Sequence, residues 1–599
     1  MTYSPDGISS VSSSDEAPVN QSDLRAEWIP DVVLVRPRDL GAVPENAPVQ
    51  DPLGVGFLAA VLRQRGHEVV VLDAHALGVD DEGLLTYLAQ LTPHVVGLSL
   101  HSFSDYSHCV EISAKLRSLP NPPYCVWGGE HATFHAENIL RQHYEVDAVV
   151  LGEGEETFCE IVERVLKGRD SSERRHTSPP PPHPMTGVSD QPQRLVTLSE
   201  RSTAPTLTSA DSILGAAVRG RDGNILHGGF RPAIEDLDDL PAAHKDSVEM
   251  ALRMGKPVSV SVLTGRGCTA KCRFCTANEF MRLGGGAVWR RRSPKAVADE
   301  VERLAAKYLD HPLVHPVLQF QDVIFLGTSP ASKRWIRDYV EEIRRRNLRV
   351  PFYCMARADA IIANRDMLPQ LVEIGLWSVE VGIESGVDRI LQSYNKHNSA
   401  NENEHAVELP RSCGVTFDAS GFIMFDPIMT VEELRLNARY LSRFGAATWN
   451  FFVTRLQLYP GTQVRDEMIR KGLFNRAEDI GCTSDYAFED PIVGIVADHA
   501  YYYNQSIWAL DLALRDAKAA LANRLRQKEC SNGPLSGAVN LVHETYCQHL
   551  LVLADLAETG RIETEFEELI IAFLEKVQML TSLLHDLLKM EGIFRHANN

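Results

Sequence analysis

Residues 54–73, GVGFLAAVLRQRGHEVVVLD, decide the fold. The first part reads as an amphipathic helix, and HEVVVLD follows at once as a continuous apolar strand. The same alternation extends to both sides. DVVLVRP (31–37) precedes it, and LLTYLAQL (84–91), HVVGLSL (94–100), YSHCVEISAKLRSL (106–119), PPYCVWGG (122–129) and VDAVVLGEGEE (146–156) follow. Uninterrupted apolar strands alternating with helices predict an α/β doubly wound parallel sheet, covered on both faces, over residues 29–168. In such sheets ligands sit beyond the carboxyl ends of the strands.

Working outward, residues 1–28 are rich in Ser and Asp and read as a disordered leader. Residues 169–213 contain SPPPPHP and almost no apolar periodicity, so they read as a linker. AAVRGRDGNILHGG (216–229) predicts a hairpin around Asp222-Gly223, within a connecting stretch 214–250. A second alternating region, 251–490, offers the strands SVSVLTG, PVLQFQDV, FYCMARA, WSVEVGI, VTFDASGFIMFD and WNFFVTRLQLY with helices between them. Six such units predict a partial (βα)6 barrel. Residues 491–599 lose the strand signal and predict an α-helical domain.

Composition removes several classes of function. With 599 residues, 44% hydrophobic and 23% charged, the chain is long and apolar enough for several folded domains. A formal charge of −20 repels phosphate backbones and anionic lipid, so neither nucleic acid nor a membrane surface is an expected partner. No apolar run reaches the ~18 residues of a membrane span, and the first residues show no signal peptide, so a cytoplasmic location is expected. An odd 11 cysteines without an export signal argue against a disulfide framework.

Three of those cysteines stand apart. TGRGCTAKCRFCTA (264–277) sets Cys268, Cys272 and Cys275 in a C-x3-C-x2-C array directly after a strand. Three thiolates on one short loop can hold three irons of a [4Fe–4S] cluster and leave the fourth without a cysteine. Zinc would need a fourth ligand, and no Cys or His pair follows at the spacing of a zinc knuckle.

This loop, with Phe274 before its last cysteine and at the first strand of a βα barrel, resembles the radical S-adenosylmethionine superfamily. FYCMARAD with Arg357, VEVGIESG with Glu384 and Ser385, YNKHN with Asn395 and Lys396, FIMFDPIMT and LQLYPGT follow in the order of its cobalamin-dependent, class B branch. The resemblance implies that the open iron is chelated by S-adenosylmethionine, with Phe274, Arg357, Glu384 and Ser385 around it. The acidic pair usual after the second strand is half present, as Gln321-Asp322-Val323. The amino-terminal domain resembles the cobalamin-binding domain fused to these enzymes. That implies Ser99, Ser102, Gly128, Gly129, His131, Gly152, Glu153, Gly154 and Glu155 around the cofactor. The loop 36–52 lacks Asp-x-His-x-x-Gly, which implies a cobalt without a protein histidine.

Together these resemblances imply a methyltransferase working with a [4Fe–4S] cluster, cobalamin and S-adenosylmethionine, by way of methylcobalamin. Length, domain order and helical tail resemble the tryptophan 2-C-methyltransferases of thiopeptide antibiotic assembly, which implies C2 of the indole of L-tryptophan as the methylated carbon. Glu279, four residues after Cys275, is the candidate catalytic carboxylate near the open iron. An electron donor such as a ferredoxin or flavodoxin is the implied partner besides the small-molecule substrate. Three alternatives remain open: a radical C- or P-methylase of another antibiotic precursor, an oxidative cyclase or rearrangement enzyme of the same architecture, and a non-catalytic cobalamin sensor.

Overall fold

The computed structural model describes residues 29–37, 48–168, 212–220, 223–418, 421–445, 448–475, 480–526 and 533–590. The expected leader (1–28), nearly all of the expected linker and Asp222 lie outside them. Five parallel strands run in the spatial order Val69–Asp73, Val32–Arg36, Val95–Ser99, Tyr124–Gly128 and Ala148–Val150. Val33 and Val35 enter one apolar core, while Val32 and Leu34 enter another on the opposite face. Burial on both faces is why these strands read as unbroken apolar runs. The order reverses beside Val32–Arg36, which places a crevice at the carboxyl ends of Val32–Arg36 and Val95–Ser99.

The hairpin Ala216–Arg219/Ile225–His227 extends this same sheet, antiparallel to Ala148–Val150. It is therefore part of the first sheet's edge and not only a connection.

A second parallel sheet follows in chain order: Ser261–Val262, Leu318–Phe320, Phe352–Arg357, Leu376–Gly382 and Thr416–Asp418. Its outer helices Pro294–Tyr308 and Pro330–Arg345 both begin Ser-Pro. The serine hydroxyl accepts the N–H of Ala296 or Ser332, and proline fills a first-turn position that needs no donor. Alternate residues Phe352, Cys354 and Ala356 are buried in the core shared with these helices, while Tyr353, Met355 and Arg357 are less buried and face the barrel interior.

The sixth expected strand, 449–459, is a correction in detail. Trp449–Phe452 is one helical turn, and among the described residues only Arg455 bridges in parallel to Phe425. Asp511, on a tail helix, accepts the Trp449 N–H at 2.9 Å and captures that turn. Among the described residues, four long helices follow, Pro491–Tyr502, Trp508–Arg526, Pro534–Glu558 and Ile562–Met590, and share one core with the barrel. Tyr503 is buried there beside His549, whereas Tyr501 and Tyr502 are exposed. No helix among the described residues is long and apolar enough to cross a membrane.

A separate short ribbon ties the two regions together. Val49–Gln50 pairs in parallel with Val258–Ser259, and the buried Asp51 accepts from Lys245 Nζ (2.7 Å) and the Ser261 N–H (3.0 Å).

Candidate functional site

The cysteine loop leaves the barrel through a short ribbon, Gly265–Gly267 paired antiparallel with Trp289–Arg291. Glycine is required on both sides of Arg266. A Cβ at Gly265 would stand 2.7 Å from the Arg290 carbonyl oxygen, and Gly267, at φ +87°, would place one 2.0 Å from that of Val288. Asp322, the retained half of the acidic pair, is fully engaged below the ribbon. It accepts from the Thr264 and Gly265 N–H groups at 2.7 and 3.1 Å and from the Thr264 hydroxyl. It anchors the start of the loop.

Cys268 and Cys272 are buried and Cys275 is half-buried. Burial pushes the Cys275 thiol up to about 12 and raises Cys268. Arg357 Nη1 donates to Cys272 Sγ at 3.2 Å. Among the described residues, no group of three or more His, Cys, Asp or Glu side chains is arranged to hold a single metal ion. Phe274 turns its ring onto Tyr394 (centroids 4.9 Å apart), so it braces the loop. The YNKHN segment holds the loop further: Asn395 Nδ2 donates to the Lys271 carbonyl (2.8 Å), and the Arg273 N–H donates to that of Tyr394.

Glu384 sits at the end of strand Leu376–Gly382 with φ +56°, a left-handed conformation costly for glutamate and concentrated at functional sites. Its carboxylate pairs with the buried Lys396 (2.9 Å), which also donates to the Gly382 carbonyl. A Cβ at Gly382 would lie 2.7 Å from the Glu384 Oε1, so glycine leaves room for the carboxylate over the strand. Arg357 and Gly382 are in register, so Arg357, Glu384 and Lys396 form one charged ledge beside Cys272. Such a ledge suits an amino-acid zwitterion.

Ser385 is a correction. It is fully buried, donates to Asn437 Oδ1 (2.9 Å) and accepts the Val387 N–H, so it shapes the turn and does not face the ledge. Glu279 is half-buried, on the helical turn Thr276–Phe280, and its carboxylate makes no hydrogen bond or ion pair to a described residue.

In the amino-terminal domain Ser99, Ser102, Gly128, Gly129 and Gly152 gather at the carboxyl ends of their strands. Gly129 has φ +115° and approaches the Leu100 carbonyl; Gly152 has φ +73° and open space where a Cβ would be. Bare backbone with clearance fits a large flat macrocycle. Ser102 braces its own turn through Ser104 and Asp105.

Three residues expected at the cofactor are engaged elsewhere. Glu153 takes a two-point pair from Arg290 (2.6 and 3.0 Å), and Glu155 pairs with Arg266 at 2.5 Å. Burial works to raise the Glu153 carboxyl, but Arg290 and Arg266 hold it below its usual range. The His131 ring Nε2 meets the Ile480 carbonyl at 2.6 Å. These three tie the domain to the barrel side of the chain, and Gly154 opens the helix that carries Glu155. The long-range partners, up to 349 residues away, explain why sequence alone did not assign them.

One residue was missed. Glu130, next to Gly129, hydrogen-bonds Thr276 beside Cys275, and burial raises its carboxyl. Its Oε1 is buried without a partner among the described residues. WGGEH was read for its glycines and histidine, yet a carboxylate at a strand end was visible there.

Comparison with known proteins gives the arrangement its context. A B12 binding domain matches residues 46–162, and the radical SAM superfamily matches 262–441. The chain is 27% identical over 459 residues to a cytidylyl-2-hydroxyethylphosphonate methyltransferase of Streptomyces wedmorensis, covering 72% of this chain and 80% of that one. It is 25% identical over 425 residues to an uncharacterized methyltransferase of Pyrococcus horikoshii, covering 70% and 79%. In structure it is similar to the cobalamin-dependent S-adenosylmethionine radical enzyme OxsB with aqua-cobalamin bound (TM-score 0.67, 17% identity, 95% of this chain and 82% of that one). It is also similar to the methyltransferase TsrM of Kitasatospora setae with tryptophan and an S-adenosylmethionine analogue (TM-score 0.52, 19% identity, 74% and 76%).

Proposed function

We propose that this chain, a cobalamin-dependent radical S-adenosylmethionine methyltransferase, methylates a carbon of a small natural-product precursor, and that the carbon is C2 of the indole of L-tryptophan. The observation that carries the reading is the joining of two cradles. The glycine-lined ends of the first sheet and the charged ledge of the second are held together by Glu153, Glu155 and His131. When bound, the cluster and cobalamin supply, respectively, an anchor for S-adenosylmethionine and a cobalt centre that can carry its methyl group.

The chain's own residues bind, orient and exclude water. Cys268, Cys272 and Cys275 would hold the cluster, with Arg357 balancing their charge. Glu384 and Lys396 would hold the amino and carboxylate ends of S-adenosylmethionine. Gly152, with open space where a Cβ would be, would give the cobalamin clearance, while Gly129 lets its own strand end pack against the Leu100 carbonyl beside it. Glu279, whose carboxylate makes no hydrogen bond to a described residue, is assigned to take the indole N–H proton in this reading.

A second reading, radical methylation or rearrangement of another precursor, is favoured by coverage. OxsB aligns over 95% of the chain, including the helical tail, and TsrM over 74%. One anaerobic experiment separates them: reconstituted protein is given S-adenosylmethionine and tryptophan, and products are followed by mass spectrometry. Tryptophan one methyl heavier without 5′-deoxyadenosine is the expected result. Unchanged tryptophan with 5′-deoxyadenosine released overturns the tryptophan reading in favour of the second.

A further inference from the structure

Two short loops, one from each domain, carry the same pattern with opposite charge. Residues 265–267 are Gly-Arg-Gly, and 152–155 are Gly-Glu-Gly-Glu. Arg266 and Glu153 are each bracketed by glycines, and Glu155 follows one; glycine does little to fix a backbone by its own sterics. Side chains from the other domain do the fixing. Arg266 Nη2 meets Glu155 Oε1 at 2.5 Å, and its Nη1 lies 3.3 Å from Glu153 Oε1. Arg290, paired in register with Arg266 on the ribbon, grips Glu153 at 2.6 and 3.0 Å. The Arg266 guanidinium also lies 5.3 Å from the Phe57 ring centroid, on a helix of the amino-terminal domain. Arg266, Arg290 and Glu155 are all nearly buried, at 8%, 5% and 5% exposure. Arg266 stands two residues before Cys268, and Glu153 directly follows Gly152 of the open backbone edge.

We propose that Arg266 and Arg290 are positioning residues that lock loop 152–155 to the cysteine-loop ribbon, so that filling one cofactor cradle tightens the other. A merely structural pair would add stability without making cobalamin and cluster occupancy interdependent. A positioning pair makes the two equilibria reciprocal, because ordering either loop through its cofactor orders the other through the shared ion pairs.

The test is a binding cycle read by equilibrium dialysis of hydroxocobalamin, on cluster-free and cluster-loaded full-length protein, without turnover. The loaded native protein is expected to bind cobalamin at least about fivefold more tightly than the cluster-free form. In Arg266→Met and in Glu155→Gln, which keeps the shape of the side chain, that ratio is expected to fall to about one. Should Arg266→Met fail to fold, Glu155→Gln decides alone. Hydrogen exchange of residues 264–277 gives a second readout: cobalamin added to cluster-free protein is expected to slow exchange in the native chain and not in Glu155→Gln. A native ratio of about one, or a ratio unchanged in Glu155→Gln, overturns the proposal.

Discussion

The proposed cobalamin cradle and the barrel mouth occupy the same position on their sheets, beyond the carboxyl ends of parallel strands, and are built from opposite materials. The first is bare backbone: Gly128, Gly129 and Gly152, with positive φ at the last two. The second is charge: Arg357 against Cys272, and Glu384 against Lys396 over Gly382. A broad macrocycle needs clearance, whereas a cluster and a zwitterion need counter-charges. One fold principle therefore yields two sites whose sensitivities to mutation should differ in kind.

The largest expected effect separates them outright. Cys272→Ala should abolish cluster loading and turnover while bringing cobalamin binding down only to that of the cluster-free native protein, the reciprocal tightening described above being the part that is lost. Iron analysis and dialysis on one sample check this, and a complete loss of cobalamin binding would break the comparison.

Gly129→Val is its mirror. Its Cβ would stand 2.6 Å from the Leu100 carbonyl oxygen at φ +115°. Strain of about 1–3 kcal/mol should appear in chemical unfolding, and cobalamin affinity should fall at least about tenfold, with iron content near native.

An intermediate effect lies in the seam between the regions. Burial lowers His131 to about 4 and His135 to about 3, below the roughly 6.5 of an unfolded chain. The unfolded state therefore takes up protons first, so the stability these rings provide is present above about pH 6.5 and is lost as pH falls toward 4. Each contributes up to about 1.4 kcal/mol per pH unit in that window. Guanidinium unfolding at pH 7.5 and 5.5 should show a steeper loss in native protein than in His135→Phe.

The smallest effect is Ser385→Ala. The lost bond to Asn437 should cost about 1 kcal/mol in unfolding, with S-adenosylmethionine affinity unchanged. A large fall in that affinity would return Ser385 to the ledge.

The parts legible in the sequence share a cause: their signals are local. Apolar strands alternating with helices announce both sheets, and the spacing of Cys268, Cys272 and Cys275 announces a cluster because one loop carries all three. Where structure depends on a distant partner, the reading stopped short. WNFFV has strong strand propensity, but Asp511 on a tail helix captures Trp449 in a helical turn. The hairpin at 216–227 was legible as a hairpin, yet nothing near it says which sheet edge it joins. Glu153 and Glu155 look like ligand contacts beside their glycines until Arg266 and Arg290, more than a hundred residues away, come into view. Ser385 was placed at the S-adenosylmethionine site by the resemblance of its segment, yet it is buried next to Glu384, whose backbone is left-handed.

The central claim is that both cradles serve one site. The most direct measurement is electron paramagnetic resonance of protein loaded with cluster and cobalamin, recording the cobalt(II) signal with the cluster oxidised and then reduced. The account predicts that cluster reduction broadens the cobalt(II) signal and speeds its relaxation, as two paramagnets held close together must. A cobalt(II) signal indifferent to the state of the cluster would contradict it.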